Sequence, residues 1–193
     1  MSVIKIAILG QGRSGRDIHA VNLMYLTDLY QIVAIVDPLP DRRERAAREF
    51  KCDTYAHYTE ILQRTDIDLV VNATPSYLHG PITIDLLNHG FNVLVEKPMS
   101  RSVAEVDAMI AAAEKNKRLL TIFQQSRFAP YFVKVREVID SGVLGRIVQI
   151  GISFSGYARR WDWQCLQSFN GGSLLNTGPH PLDQALQLFG DDV

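Results

Sequence analysis

Gly10-Gln11-Gly12-Arg13-Ser14-Gly15 is a G-x-G-x-x-G loop, and the chemistry it suits is the holding of a pyrophosphate. The first glycine permits a tight turn, the second lets the backbone approach the phosphates, and the third allows a helix to close on a strand. The N–H groups and positive dipole end of the following helix then face the anion. Asp37 lies 22 residues beyond Gly15, near the spacing of about 20 at which an acidic residue binds the adenine ribose. A carboxylate there repels a 2′-phosphate, so the pattern favours NAD, with NADP as the other choice. Arg42 and Arg43 could swing toward such a phosphate. Their segment also carries Asp41, Glu44 and Glu49, which reads first as a solvated helix face.

Lys97 sits in Glu96-Lys97-Pro98, directly after an apolar run. At the carboxyl end of a parallel strand it would stand where open α/β sheets bind ligands. A lysine in a partly buried cleft can have its pKa lowered into the range useful for proton transfer. On residue type alone it could equally be an ordinary surface lysine. His180 opens the last helical segment beside Pro181 and suits proton exchange near neutral pH, or simply the capping of a loop. Arg159, Arg160, Trp161 and Trp163 suit sugar stacking or carboxylate binding, and equally well an exposed loop.

The elements that must position these groups follow from hydrophobic period. Val3 to Leu9, Ile32 to Val36, Asp68 to Val71, Phe91 to Val95 and Leu119 to Phe123 are short apolar runs bounded by turn residues, as in buried parallel strands. Between them, Arg13 to Leu29, Asp41 to Lys51, Ser76 to His89 and Ser102 to Asn116 have helical spacing. In the last, Val103, Val106, Ile110 and Ala113 make one stripe, with Ser102 as N-cap and Glu105 three residues on. Alternating strands and helices predict a doubly wound parallel (Rossmann) α/β sheet over residues 1–125. Residues 126–193 read differently. Pro130 to Asp140 is helical, and Arg146 to Phe154 alternates with period two, as in a strand of a mostly antiparallel α+β domain. A last helix near Pro181 to Phe189 would bury Leu182, Leu186 and Phe189. One strand cannot make a sheet, so the second domain is expected to be incomplete and substrate turnover by this length of chain weak.

Four further segments carry a family resemblance. Asn72-Ala73-Thr74-Pro75 with His79, Glu96-Lys97-Pro98, Arg127-Phe128, and the run from Gly171-Gly172 through Asn176 and His180 to Asp183 occur in this order. The set resembles the Gfo/Idh/MocA family of NAD(P)-dependent oxidoreductases. The resemblance implies hydride transfer between NAD(P) and a sugar, inositol or related polyol. Lys97 and His180 would be the acid/base pair. Thr74, Pro75, His79, Glu96 and Lys97 would join Gly10, Gln11, Gly12, Arg13, Ser14, Gly15 and Asp37 around the cofactor, and the Lys97–Pro98 peptide would often be cis. Asn176 departs from the pattern, since family dehydrogenases often carry aspartate there. An amide can orient a hydroxyl but cannot take up a proton. A non-catalytic dinucleotide-binding regulator and a reductase of imines or tetrapyrroles therefore stay open beside the dehydrogenase.

Composition narrows the partners. The 193 residues are 47% hydrophobic and 21% charged with net charge −1, which excludes dominant disorder and offers no excess charge to nucleic acid. No apolar run approaches the roughly 20 residues of a membrane helix, and no signal peptide is visible. Cys52 and Cys165 lie far apart and outside any metal motif, so reduced thiols and no metal site are expected. The reading is a cytoplasmic homo-oligomer acting on a small molecule.

Overall fold

A computed structural model of the chain describes residues 2–157 and 159–190. The chain divides into two compact units, residues 1–123 and 124–193.

In the first unit, β1 (Ile4–Leu9), β2 (Tyr30–Val36), β3 (Asp53–Tyr55), β4 (Leu69–Asn72), β5 (Val93–Glu96) and β6 (Leu120–Phe123) form one sheet in the order 3-2-1-4-5-6. Every pairing is parallel. Alternation along β1 sends neighbouring side chains to opposite faces. Ile6 and Ile8 pack with Ile35 and Val71 against Ala20 and Ala46. Ala7 and Leu9 pack with Val70 and Val93 against Ile82, Leu86, Leu87 and Ala113. Both faces are therefore covered, which is why the strands read as unbroken apolar runs. The edge strand β3 was not foreseen; three residues are too few for a periodic signal.

The helices depart from expectation in instructive ways. The first is π-wound over Arg13–Ala20 and continues only through α1 (Val21–Leu23), short of Leu29. α2 (Pro40–Phe50) is tied to it by the Arg16 guanidinium, whose Nε and Nη2 donate to Glu49 at 2.9 and 2.7 Å. That fork holds the Glu49 carboxyl below its usual pKa. α3 (His79–Asn88) and α4 (Val103–Asn116) cover the other face. α4 buries Met109, Ala112 and Ala113, whereas Val103 and Ile110 of the expected stripe are exposed. The face turned to the core is thus the one that carries Met109 and the two alanines. Ser102 makes no side-chain cap. The Ser100 hydroxyl instead links the start of the helix, donating to Glu105 and accepting from the Ser102 N–H.

The second unit holds α5 (Pro130–Asp140), α6 (Ser173–Asn176) and α7 (Pro179–Phe189), with no strand among its described residues. The expected strand at Arg146 to Phe154 is irregular, and Val148 is 83% exposed. Extended backbone needs a neighbouring strand to take its N–H and C=O groups, and no described residue supplies one. The mostly antiparallel sheet is accordingly not seen. α7 corrects a second expectation. Leu182, Leu186 and Phe189 are all exposed, and the buried residue is Gln184. Polar ties choose its docked face: the Gln184 amide donates to the Ser126 carbonyl and to Tyr131 Oη at 3.1 and 2.7 Å. Cys52 and Cys165 are unbridged, and burial pushes the Cys52 thiol up to about 11. Among the described residues no helix is long and apolar enough to cross a membrane.

Candidate functional site

Because β1, β2, β4 and β5 run parallel, Gly10, Asp37, Ala73 and Lys97, which follow their last residues, lie at one end of the sheet. Strand order reverses between β1 and β4, with β2 and β3 on one side and β5 and β6 on the other, and open α/β sheets have their crevice at such a switch point.

The three glycines have separate physical reasons. Gly10 has φ 89°, and a Cβ there would stand 2.5 Å from the Ala73 carbonyl oxygen. A Cβ on Gly15 would stand 1.8 Å from the Gly10 carbonyl oxygen. Neither site admits a side chain unless backbone moves. Gly12 is unlike both. Its φ of −74° and ψ of −165° suit any residue, and a Cβ would meet nothing nearer than Arg42 Nη1, at 3.9 Å. The protein's own packing leaves that space clear. Arg13 and Ser14 open the π-wound helix beside it, where the first N–H groups lack helical partners.

Asp37 is buried, with its carboxylate turned back into the loop. Oδ2 accepts from the Gln11 N–H at 2.7 Å and Oδ1 from the Leu39 N–H at 3.0 Å. Arg42 Nη1 lies 3.4 Å from Oδ2. Arg43 donates to the carbonyls of Asp37 and Pro38, and Arg45 to that of Gln11. These arginines correct the solvated-face reading. Three of them turn toward the β2 end and the phosphate loop.

At the other side of the crevice, Glu96 is buried and bonded at both oxygens. Oε1 lies 3.0 Å from His19 Nε2, and Oε2 accepts from the Lys97 N–H at 3.2 Å. The His19 ring packs on Phe123 with centroids 4.4 Å apart. Lys97 itself is half-buried, and the Lys97–Pro98 peptide is cis. His79 is buried between two carbonyls, Nδ1 at 2.7 Å from Pro98 O and Nε2 at 2.9 Å from Thr74 O. Burial pushes its pKa down, against the opposing pull of both carbonyls. Thr74 Oγ1 donates to Asn72 Oδ1 at 2.7 Å, while the buried Asn72 amide donates to Thr83 Oγ1 and the His79 carbonyl. Pro75 caps the turn that leads to His79. His79 thus brackets the turn after β4 to the turn after β5.

Within the second unit, Asn176 ends α6 and His180 lies in the first turn of α7, both half-buried. Arg127 grips Asp183 through Nε and Nη2 at 2.6 to 3.0 Å, and the Gln124 amide donates to the Pro179 carbonyl. These bonds hold the start of α7, and with it His180, on the segment that precedes α5. Arg159, Arg160 and Trp161 are exposed.

Residues 4–124 match the model of an oxidoreductase family with an NAD-binding Rossmann fold, and residues 132–193 match the GFO/IDH/MocA C-terminal domain. The chain belongs to the Gfo/Idh/MocA oxidoreductase family. It is 32% identical to the scyllo-inositol 2-dehydrogenase (NADP(+)) IolW of Bacillus subtilis, over 98% of this chain and 53% of that protein. It is 31% identical to the scyllo-inositol 2-dehydrogenase (NAD(+)) of the same organism, over 98% of this chain and 55% of the relative. It also superposes on the WlbA dehydrogenase of Chromobacterium violaceum, solved with NADH and UDP-GlcNAcA, with a TM-score of 0.83 and 26% identity. That match covers 97% of this chain and 56% of the other. The chain spans about half the length of the relatives it matches.

The Gfo/Idh/MocA motifs fall into two groups in the structure. Gly10 to Gly15, Asp37, Thr74, Pro75, His79, Glu96 and Lys97 share the crevice end of the first sheet, while Asn176 and His180 belong to the second unit. His19 and Asn72 went unremarked as functional candidates in the sequence. His19 lies four residues past Gly15 and so shares its buried face of the helix; its partner Glu96, 77 residues on, is what the sequence does not show. His19→Leu is expected to strip the buried Glu96 carboxyl of its ring donor and to cost about 1–3 kcal/mol. Urea unfolding of His19→Leu, of Glu96→Leu and of the double variant checks this. The double variant should lose less than the two single losses added. Strict additivity would show that the pair does not interact.

Proposed function

We propose that the first unit holds NAD with its pyrophosphate over Gly12, Arg13 and Ser14 and its adenine ribose beside Asp37, within an oxidoreductase of sugars, inositols or related polyols. The observation that carries this reading is Gly12, a glycine that neither backbone conformation nor packing requires, at the mouth of a helix N-terminus. The bound dinucleotide supplies a hydride acceptor or donor. Lys97 exchanges a proton at the substrate oxygen while its backbone is held by Glu96. Glu96 lines the nicotinamide end, with His19 fixing its carboxyl. Thr74 and Pro75 shape the wall between the two turns, and His79 supports that wall from behind. From residues 126–193, His180 serves as proton partner or oxygen anchor and Asn176 orients a substrate hydroxyl; this unit also supplies the contacts of a homo-oligomer.

The two inositol dehydrogenase relatives support the polyol class, and the motif order supports the roles. Calorimetric titration with NADH, followed by a screen of inositols and sugars read by nicotinamide absorbance, tests the proposal. Saturable NADH binding is expected, with polyol-dependent reduction of NAD that is weak for this length of chain. Failure of NADH to bind would overturn it. A second reading rests on Asn176, where a carboxylate would complete a proton-handling set with the histidine. Tight NADH binding without turnover of any alcohol, imine or tetrapyrrole would favour a dinucleotide-binding regulator. Reduction of an imine or tetrapyrrole without alcohol oxidation would favour the third class.

A further inference from the structure

His79 opens α3 with only 1% of its surface exposed, and both of its ring nitrogens rest on main-chain oxygens. Nδ1 lies 2.7 Å from the Pro98 carbonyl, in the turn after β5 that carries Lys97. Nε2 lies 2.9 Å from the Thr74 carbonyl, in the turn after β4. Both oxygens can only accept. A neutral imidazole has one N–H and donates to one of them; a second donor exists only on the charged ring. Burial works against that charge. The ionisable groups around the ring do not restore it. Glu96 favours the charged ring and Lys97 opposes it, and the Glu96 carboxylate is already engaged by His19 and the Lys97 N–H. From α4, the Glu105 carboxyl lies against Gly80, the next residue, and accepts from the Ser100 hydroxyl. One proton therefore faces two acceptors.

The two turns do not need that proton equally. Thr74 has an anchor of its own, since Asn72 Oδ1 accepts from its N–H at 3.3 Å and from its hydroxyl at 2.7 Å. The Pro75 carbonyl beside it accepts from the Leu78 N–H at 2.9 Å. Pro98 brings no N–H with which to anchor its turn, and the Lys97 N–H before it reaches Glu96 Oε2 only at 3.2 Å. The shorter of the two ring contacts is also the one to Pro98.

We infer that His79 is a positioning residue for Lys97: the one proton of its ring sits on Nδ1, is donated to the Pro98 carbonyl, and so fixes the turn that carries the lysine. The bare Nε2 meets the Thr74 carbonyl as one acceptor meets another, a contact that persists because Asn72 holds that turn independently. Nε2 is then the nitrogen that takes up a second proton in acid. The role of Lys97 rests on the reading above; the place of the proton does not.

Long-range proton–nitrogen correlation spectra of the ring, recorded on the whole chain without cofactor, test the assignment. At neutral pH the His79 Nδ1 signal should fall in the protonated range and the Nε2 signal in the bare range. As pH falls, Nε2 alone should shift, and below the ordinary histidine range because burial opposes the charge. A proton on Nε2, or on both nitrogens at neutral pH, would overturn the inference. Two variants read the consequence at Lys97. An asparagine amide reaches about as far as Nδ1 and a glutamine amide about as far as Nε2, so His79→Asn keeps a donor for Pro98 and His79→Gln moves it toward Thr74. Exchange of the Lys97 N–H with solvent should stay within about threefold of wild type in His79→Asn and quicken about tenfold or more in His79→Gln, the worth of one hydrogen bond. Equal exchange in the two variants would remove the positioning role. If neither variant folds, the wild-type ring spectrum decides. None of these signals requires bound dinucleotide or turnover, so failure here leaves the dinucleotide reading standing, and failure of NADH to bind leaves the place of the proton to be decided by the ring spectrum.

Discussion

Gly12→Val is expected to abolish dinucleotide binding while leaving the fold and its thermal midpoint unchanged. The Gly12 backbone is already in an extended region open to valine, and a Cβ meets only the Arg42 guanidinium, at van der Waals distance. A side chain would instead fill the space through which the backbone must approach a pyrophosphate. A loss of at least about a hundredfold in NADH affinity corresponds to about 2.8 kcal/mol. Gly15→Ala is the control with the opposite signature. Its Cβ would overlap the Gly10 carbonyl oxygen, so the helix must move off the loop and the thermal midpoint must fall. Calorimetric binding and thermal unfolding of both variants check the pair. Wild-type NADH affinity in Gly12→Val would remove the pyrophosphate from this loop.

Lys97→Ala is expected to lower kcat by about 10²- to 10⁴-fold, the range for a positioned acid–base group, with NADH affinity nearly retained. The substitution leaves the Lys97 N–H, and hence its bond to Glu96 Oε2, in place. It also leaves the His79 bracket on the Pro98 carbonyl untouched. The turn should therefore keep its shape, and the defect should lie in proton exchange alone. Steady-state turnover of the polyol that wild type accepts, beside NADH titration of the same variant, separates chemistry from binding. Parallel loss of NADH binding and activity would make Lys97 a structural residue. Undiminished kcat would place the proton path elsewhere.

Local chain chemistry alone determined a good part of this protein. A strand that runs into Gly-x-Gly-x-x-Gly, a second that ends on Asp37, and a run that ends on Glu96-Lys97-Pro98 are properties of a few neighbouring residues, and a buried parallel strand needs no partner to announce its apolar run. Their shared position at one sheet end followed from alternation of strands and helices. The edge strand β3 and the docked faces of α4 and α7 did not follow. Alanines against the core and Gln184 against Ser126 are choices made by the surface opposite, which an isolated helix does not carry.

The same limit governs the site. The Gln11 N–H meets Asp37 from 26 residues away, and His19 meets Glu96 from 77 residues away. Neither partner can be read from spacing, because the meeting exists only once strand order places β1 beside β2 on one side and β4 and β5 on the other. Arg42 is the sharpest case. In sequence it follows Asp37 closely in a mixed-charge segment, and the start of α2 above the β2 end turns it onto the Asp37 carboxylate. The residue types at the site came from the sequence; which of them share charge and hydrogen bonds came from the packing of elements that are distant along the chain.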